Sequence, residues 1–266
     1  MTTHCRSPCQ RQREAFLLAR PSAKEREVWT CFWRYLCTHL NRCFYVGQPV
    51  LNNLIQLSIA MLYNLGLDKP PPPPKDPASM LAHDIKNTGN AERLSKTTNE
   101  ERRALLGCYL LSSVSCYTLA KGNPLLWTAH SEDCLRTLEH EKEYDSDALL
   151  VQLVKLRLLY TRISDGFGTD GVLTAPVAFY LKSFEGQLQN FKNNIPPELS
   201  NNETLLLELY ATERSVYEIG MAHDHNIFQG KETRRVECLW ACANATNSWI
   251  NIFLSIPAAD YPGFSA

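Results

Sequence analysis

No stretch of this chain alternates apolar and polar residues with period two over a strand's length, so the sequence offers no β-sheet. It also lacks an excess of positive charge. Lys and Arg total 27 against 28 Asp and Glu, a net charge of −1. A DNA-binding domain normally carries a basic stripe, and a balanced surface supplies no overall field to draw nucleic acid. The one basic excess is local: residues 1–35 hold seven Lys/Arg against three acidic residues, which reads as a solvated N-terminal face. The first residues, MTTHCRSPCQRQREAF, contain no apolar core, so no secretory signal is expected. Without an oxidising compartment a disulfide framework is not expected either.

Catalytic and metal-binding patterns are scarce as well. The chain has ten cysteines but no C-x2-C pair. Cys5 and Cys9 stand apart, and Cys31, Cys37 and Cys43 follow at scattered angles on one helical segment. A tetrahedral zinc site needs thiolates converging from short turns, so none is expected. Cys108, Cys116, Cys238 and Cys242 lie in apolar surroundings and read as small core residues. G-x-S-x-G is absent, and so is an aspartate-rich metal motif. GFGTDG at residues 166–171 matches G-x-G-x-x-G. Phosphate binding there requires a strand before the glycines and a helix straight after. Instead a helical LVKLRLLYTRISD precedes them and VLTAP intervenes, so the match reads as a helix–helix loop. His223 and His225 flank Asp224, but positions i and i+2 of a helix point apart, and a polar helix terminus is expected. Glu132-Asp133 and Asp145/Asp147 fall at helix N-termini, where acids complement the macrodipole. No catalytic residue, metal ligand or cofactor is nominated, and the chain is not expected to be an enzyme.

What the chain does have is helix signals. One uncharged run, residues 104–120, is seventeen residues long and contains Ser112, Ser113, Ser115 and Thr118. That is the lower limit for a membrane span and too polar for one, so a buried central helix is expected. Thr98 and Glu101 have capping-box spacing at its entrance, beside Arg102 and Arg103, and Gly122 with Pro124 marks its stop. A second box, Ser22 and Glu25, opens a helical segment reaching Cys43. In QPVLNNLIQLSIAMLYNLG the residues Leu51, Leu54, Ile55, Ser58, Met61, Leu62 and Leu65 share a broad face, and Gly66 ends the helix. KPPPPPKDP then favours an extended rod inside a loop spanning about residues 68–96. Further helices are expected at 145–165, 175–193, 202–222 and 232–256. The fold class is all-α: a multi-helix bundle of mostly antiparallel helices with long irregular loops. Its expected organisation is a flexible basic segment at 1–21, a helical domain at 22–256 and a short tail at 257–266.

Three blocks recur in one order: LSIAMLYNLGLDK; Glu100-Glu101-Arg102-Arg103 through Lys121-Gly122-Asn123-Pro124; and QNFKNNIPPELSNNETLLLELYATERSVYEI. This succession resembles the middle homology region, the helical regulatory domain of fungal zinc binuclear cluster transcription factors. Asn123 departs from the arginine usual in the closing turn, and Leu105-Leu106 replace an aromatic pair. The family's six-cysteine DNA-reading module has no counterpart before Glu25, and the end at SIPAADYPGFSA comes early for the family. The resemblance implies a nuclear transcription regulator controlling a gene set, such as one for specialised metabolism. It would act through a full-length regulator, a co-regulator or a small-molecule effector, with no sequence-specific DNA binding of its own and no membrane contact. Leu65, Gly66, Leu67, Arg102, Arg103, Gly122 and Pro124 are then structural markers of the family. An α-helical enzyme and a non-DNA-binding adaptor recruiting partners through its proline run stay open as alternatives.

Overall fold

A helix persists where its ends are capped and one face is buried, and this chain meets both conditions repeatedly. The structure is a computed structural model that describes residues 48–71, 97–119, 124–165, 177–222 and 232–256. Among them are seven α-helices and no strand. They are α1 (Gln48–Asn64), α2 (Asn99–Leu119), α3 (Ala129–Glu141), α4 (Asp145–Asp165), α5 (Val177–Asn193), α6 (Glu203–Ala222) and α7 (Glu232–Ser255). The segment expected to be helical up to Cys43, the proline run beyond Pro71, Gly122, GFGTDG, His223–His225 and the cysteines from Cys5 to Cys43 lie outside the described residues.

Local rules account for the ends. α1 finishes in a left-handed Gly66, with φ of 69°. The Leu67 N–H donates to the Leu62 carbonyl at 3.1 Å and the Gly66 N–H to that of Tyr63 at 3.1 Å. These two bonds make a Schellman motif, and Leu67 packs back against the core that holds Leu62. α2 opens in the expected capping box: Glu101 Oε2 accepts the Thr98 N–H at 2.8 Å and Thr98 Oγ1 accepts the Glu101 N–H at 3.3 Å. α3 was marked by sequence only through Glu132-Asp133. Its cap is Thr128, which exchanges bonds with Ser131, and its end is Lys142 in the left-handed region. α6 is capped by Asn202, whose Oδ1 accepts the Leu205 N–H at 3.0 Å.

The core has two parts that meet on α4. Ile55, Ile59 and Leu62 of α1 pack with Leu105, Leu106 and Tyr109 of α2, Leu135 and Leu138 of α3, and Val151 and Val154 of α4. One turn further along α4, Leu156, Leu159 and Ile163 join Leu181, Phe184 and Leu188 of α5, Leu205, Leu209 and Val216 of α6, and Cys238 of α7. α4 packs against α2, α3, α5 and α6, so it is the shared beam. α2 is buried as the sequence suggests, but it belongs to the first part alone. In α1 the buried face is rotated from the expected stripe: Ile59 is inside, while Leu54 and Leu65 face out.

Two buried serines of α2 bond within the helix. Ser112 Oγ donates to the Tyr109 carbonyl at 3.1 Å and Ser113 Oγ to that of Leu110 at 3.0 Å. Ser112 Oγ also accepts the Leu125 N–H at 3.0 Å, which ties the chain leaving Pro124 back onto the helix. Ser112 and Ser113 are thus satisfied locally, while the buried Ser115 Oγ has no hydrogen-bond partner. No described helix is long and apolar enough to cross a membrane.

α6 and α7 form a close antiparallel hairpin, and Gly220 sets its spacing. A Cβ added there would lie 2.5 Å from Cys238 Sγ and 3.2 Å from Cys238 Cβ. Gly220→Ala is therefore expected to lower stability by about 1–3 kcal/mol through overpacking. Cys238→Ala in the same chain should recover part of that loss, because the sulfur is the nearest obstacle. Urea unfolding of the two single variants and the double variant measures this coupling.

Candidate functional site

The strongest polar constellation in the described chain lies where the N-terminal ends of α2 and α4 meet. Arg103 is in the second turn of α2 and Asp147 in the first turn of α4. The guanidinium grips the carboxylate with two bonds, Nε to Oδ1 at 2.7 Å and Nη2 to Oδ2 at 2.9 Å. Nη2 also donates to Glu143 Oε2 at 2.7 Å. The plane of the guanidinium lies over the Tyr144 ring, 4.3 Å from its centroid. Asp147 is 1% exposed. Its Oδ2 additionally accepts the Tyr144 N–H at 3.0 Å, so one carboxylate caps its own helix and holds the arginine of another.

Asn99 and Arg102 extend the cluster. Asn99 Nδ2 donates to Glu141 Oε2 at 2.7 Å and to Glu143 Oε2 at 3.1 Å, while its Oδ1 accepts from Arg102 Nη1 at 2.6 Å. The first turn of α2 is thereby pinned to the end of α3 and to the α3–α4 connection. Burial works against the Arg103 charge, yet the bonds to Asp147 and Glu143 outweigh it and hold the group more firmly protonated than a free arginine. The bond from Arg103, followed by that from Asn99, holds the Glu143 carboxyl below the usual carboxylate range.

Further along, Tyr117 Oη donates to Asp165 Oδ1 at 2.7 Å. Pairing 103 with 147 and 117 with 165 means that α2 and α4 run parallel, with α3 returning between them. This is the local exception to an otherwise antiparallel expectation. In the other half of the core, Arg157 of α4 is 3% exposed. Its Nη2 donates to both carboxylate oxygens of Glu208 on α6, at 2.7 and 2.6 Å, and the group lies over Tyr160. Its Nε has no hydrogen-bond partner. A pair desolvated and left incomplete in this way is weak evidence of added stability.

The residues marked by sequence divide clearly. Arg103 is at the centre of the cluster and Arg102 at its rim. Leu65, Gly66 and Leu67 form the α1 terminus, far from any polar cluster in sequence, and Pro124 stands half-buried before Leu125. Sequence had assigned Asp147 to its helix dipole alone, and Glu143 and Tyr144 went unremarked. The available signal was an acid at the third position of a helix whose start lacks a Ser, Thr or Asn cap.

Reactive chemistry is not favoured by the thiols. Burial pushes the Cys108 thiol up to about 12 and that of Cys134 up to about 11, which keeps both protonated. Among the described residues no group of three His, Cys, Asp or Glu side chains is arranged to hold a metal. The arrangement at Arg103 is that of a clamp joining three helices.

Two outcomes test the clamp. Arg103→Ala strands Asp147 as an unpaired buried charge, so urea unfolding should show a loss of about 3 kcal/mol, and Arg103→Lys an intermediate loss without the two-point grip. The second concerns pH. Because the folded-state value of Glu143 is depressed, its stabilising contribution is complete above the unfolded carboxylate value, about 4.3, and disappears as pH falls through the lower folded value. Wild type and Glu143→Gln should therefore differ in stability at neutral pH and converge on acidification.

Comparison with known proteins supplies the context for this architecture. The chain is similar to "Transcription factor opdL" of Penicillium oxalicum, 32% identical over 231 residues, covering 81% of this chain and 40% of that protein. It is also similar to a protein named "Transcription factor" from Aspergillus terreus, 28% identical over 58% of this chain and 29% of the relative. A third, "Transcription factor himD" of Aspergillus japonicus, is 24% identical over 84% of this chain and 38% of its own length. No protein-family model matches the chain, and no solved structure matches it significantly. The chain spans about 40% of the length of the first of these relatives. The helical bundle clamped by Arg103 is thus related in sequence to part of several fungal transcription factors.

Proposed function

We propose that this chain is a helical regulatory domain of the fungal zinc-cluster transcription-factor type, corresponding to the middle homology region. It regulates a gene set, such as one for specialised metabolism, from the nucleus. The observation that carries this reading is the colinear similarity to opdL over 81% of the chain, which takes in most of the helical body. Its support in the structure is the role of the signature residues. Arg103 joins α2 to α4, Arg102 bonds to Asn99 of its own helix, and Gly66 terminates α1, so the family-like blocks are parts of one scaffold.

On this reading the domain works by contact and not by catalysis. Arg103 and Arg157 are committed to carboxylates, and the Cys108 thiol is held protonated. The balanced net charge supports action through proteins or a small-molecule effector instead of through direct DNA reading. A full-length regulator or a co-regulator would then supply the DNA contact.

Tethering the chain to a heterologous DNA-binding domain in a fungal reporter strain tests the proposal. Reporter output should change severalfold relative to the DNA-binding domain alone, and Arg103→Ala should remove the change. Output equal to that of the DNA-binding domain alone would contradict a regulatory role. In gel shifts the isolated chain should show no sequence-selective binding.

A further inference from the structure

The two ends of α2 are held in different ways. Near its start, Arg103 makes a two-point bond to the buried Asp147, and the turns that follow bury Leu105, Leu106, Tyr109, Leu110 and Leu111. After Leu111 the buried side chains of α2 are Ser112, Ser113 and Ser115, with Val114 only partly covered. Ser112, Ser113, Val114, Ser115, Cys116 and Tyr117 follow one another, and every one of them is a weak helix former. The last turn has no basic residue to complement the helix dipole.

Polar satisfaction declines over the same turns. Ser113 Oγ bonds to a carbonyl of its own helix, while Ser115 Oγ is buried with no hydrogen-bond partner. Across the seam on α4, Thr161 Oγ1 is buried and faces the Tyr109 hydroxyl without a well-formed bond. Among the described residues, the hydrogen bond that joins residues 113–119 to α4 is that of Tyr117 Oη to Asp165 Oδ1, and it is exposed. The Tyr117 ring adds an edge contact to Tyr160, with centroids 6.1 Å apart. A buried hydroxyl with no partner raises the free energy of the closed state, and water answers it as soon as the seam parts.

We infer that residues 113–119 form a latch: they unwind and separate from α4 as one unit while the clamp at Arg103 and the rest of the bundle stay folded, and the Tyr117–Asp165 bond is the catch. α4 does not follow, because Leu159 and Ile163 fix its second half in the other part of the core, against α5 and α6. Ser112 marks the hinge, since its Oγ accepts the Leu125 N–H and ties that level of α2 to the chain beyond Pro124. Opening loses little apolar burial, breaks one bond between helices and hydrates buried hydroxyls, so this segment lies at the low end of local stability in the bundle. Anything that binds one form more tightly shifts the balance. The latch thus gives the bundle a two-state element that needs no reactive group.

Hydrogen–deuterium exchange of the intact chain tests the latch. Amides at 113–119 should exchange about tenfold or more faster than those at 105–111 and at 158–165. Tyr117→Phe keeps the ring and removes the catch, so exchange at 113–119 should rise by about a further tenfold with the other two stretches unchanged. Ser115→Ala removes a buried hydroxyl and installs a stronger helix former, and should slow the same amides severalfold. Protection at 113–119 equal to that at 105–111 in the wild type overturns the inference. So does an unchanged rate in Tyr117→Phe, or a rise that reaches 158–165 in step, which would make α2 and α4 one unfolding unit.

Discussion

The two-point bond between Arg103 and Asp147 is the constraint on which the rest of the bundle depends. A carboxylate that is 1% exposed is costly unless its charge is answered, and only a planar guanidinium can answer both oxygens at once. Satisfying it fixes where α2 begins relative to α4, and it fixes their parallel sense, because both ends of the pair lie in first or second turns. Parallel neighbours need a returning element between them. α3 is that element, and Asn99 fastens its end to the same cluster through Glu141.

From there the consequences run along α4. Its first half is committed to the core with α1, α2 and α3, and its second half, starting at Leu156, is committed to α5 and α6. Arg157 repeats the device of Arg103 at the start of that second half, reaching Glu208 on α6. The partly buried Arg103 and the buried Arg157, which engage α4 at residues 147 and 157, therefore tie the helices on either side to one beam. A domain whose halves share one rigid helix can pass a displacement at one side to the other. That is the property a regulatory body needs if contacts on one surface are to be felt elsewhere, and it requires no reactive group.

Much of this was legible in the sequence wherever the physics is local. The Thr98/Glu101 capping box, the Gly66 stop and the bounds of α4 follow from residues within a turn of each other. The uncharged run of α2 read as a buried helix because its length is marginal for a membrane span and its serines make it too polar for one. The Arg103–Asp147 clamp was not legible, because its members stand 44 positions apart and each has a sufficient local explanation. Asp147 looked like an N-terminal acid, and Arg103 like part of a charged helix entrance, exposed or paired with a neighbouring helix whose identity stayed open. α3 was underestimated because its apolar residues are few, chiefly Cys134, Leu135 and Leu138. Burial also chose between near-equivalent stripes on α1, bringing in Ile59 and leaving Leu54 outside, a rotation no periodicity could decide. On α7 the sequence showed an apolar helix and could not say which side of it the other described helices would cover.

The family-like pattern gains a physical meaning from this arrangement. Its charged block is a clamp and its glycine stop is a helix terminus, so a relative can diverge widely at its surface while preserving both. Hydrogen–deuterium exchange on the intact chain, with and without Arg103→Ala, is the most direct test of the claim that this clamp organises the bundle. The account predicts that protection falls together at the N-terminal ends of α2 and α4 and at the end of α3, while α6 keeps its protection. A loss confined to the first turn of α2, with α4 unaffected, would contradict it.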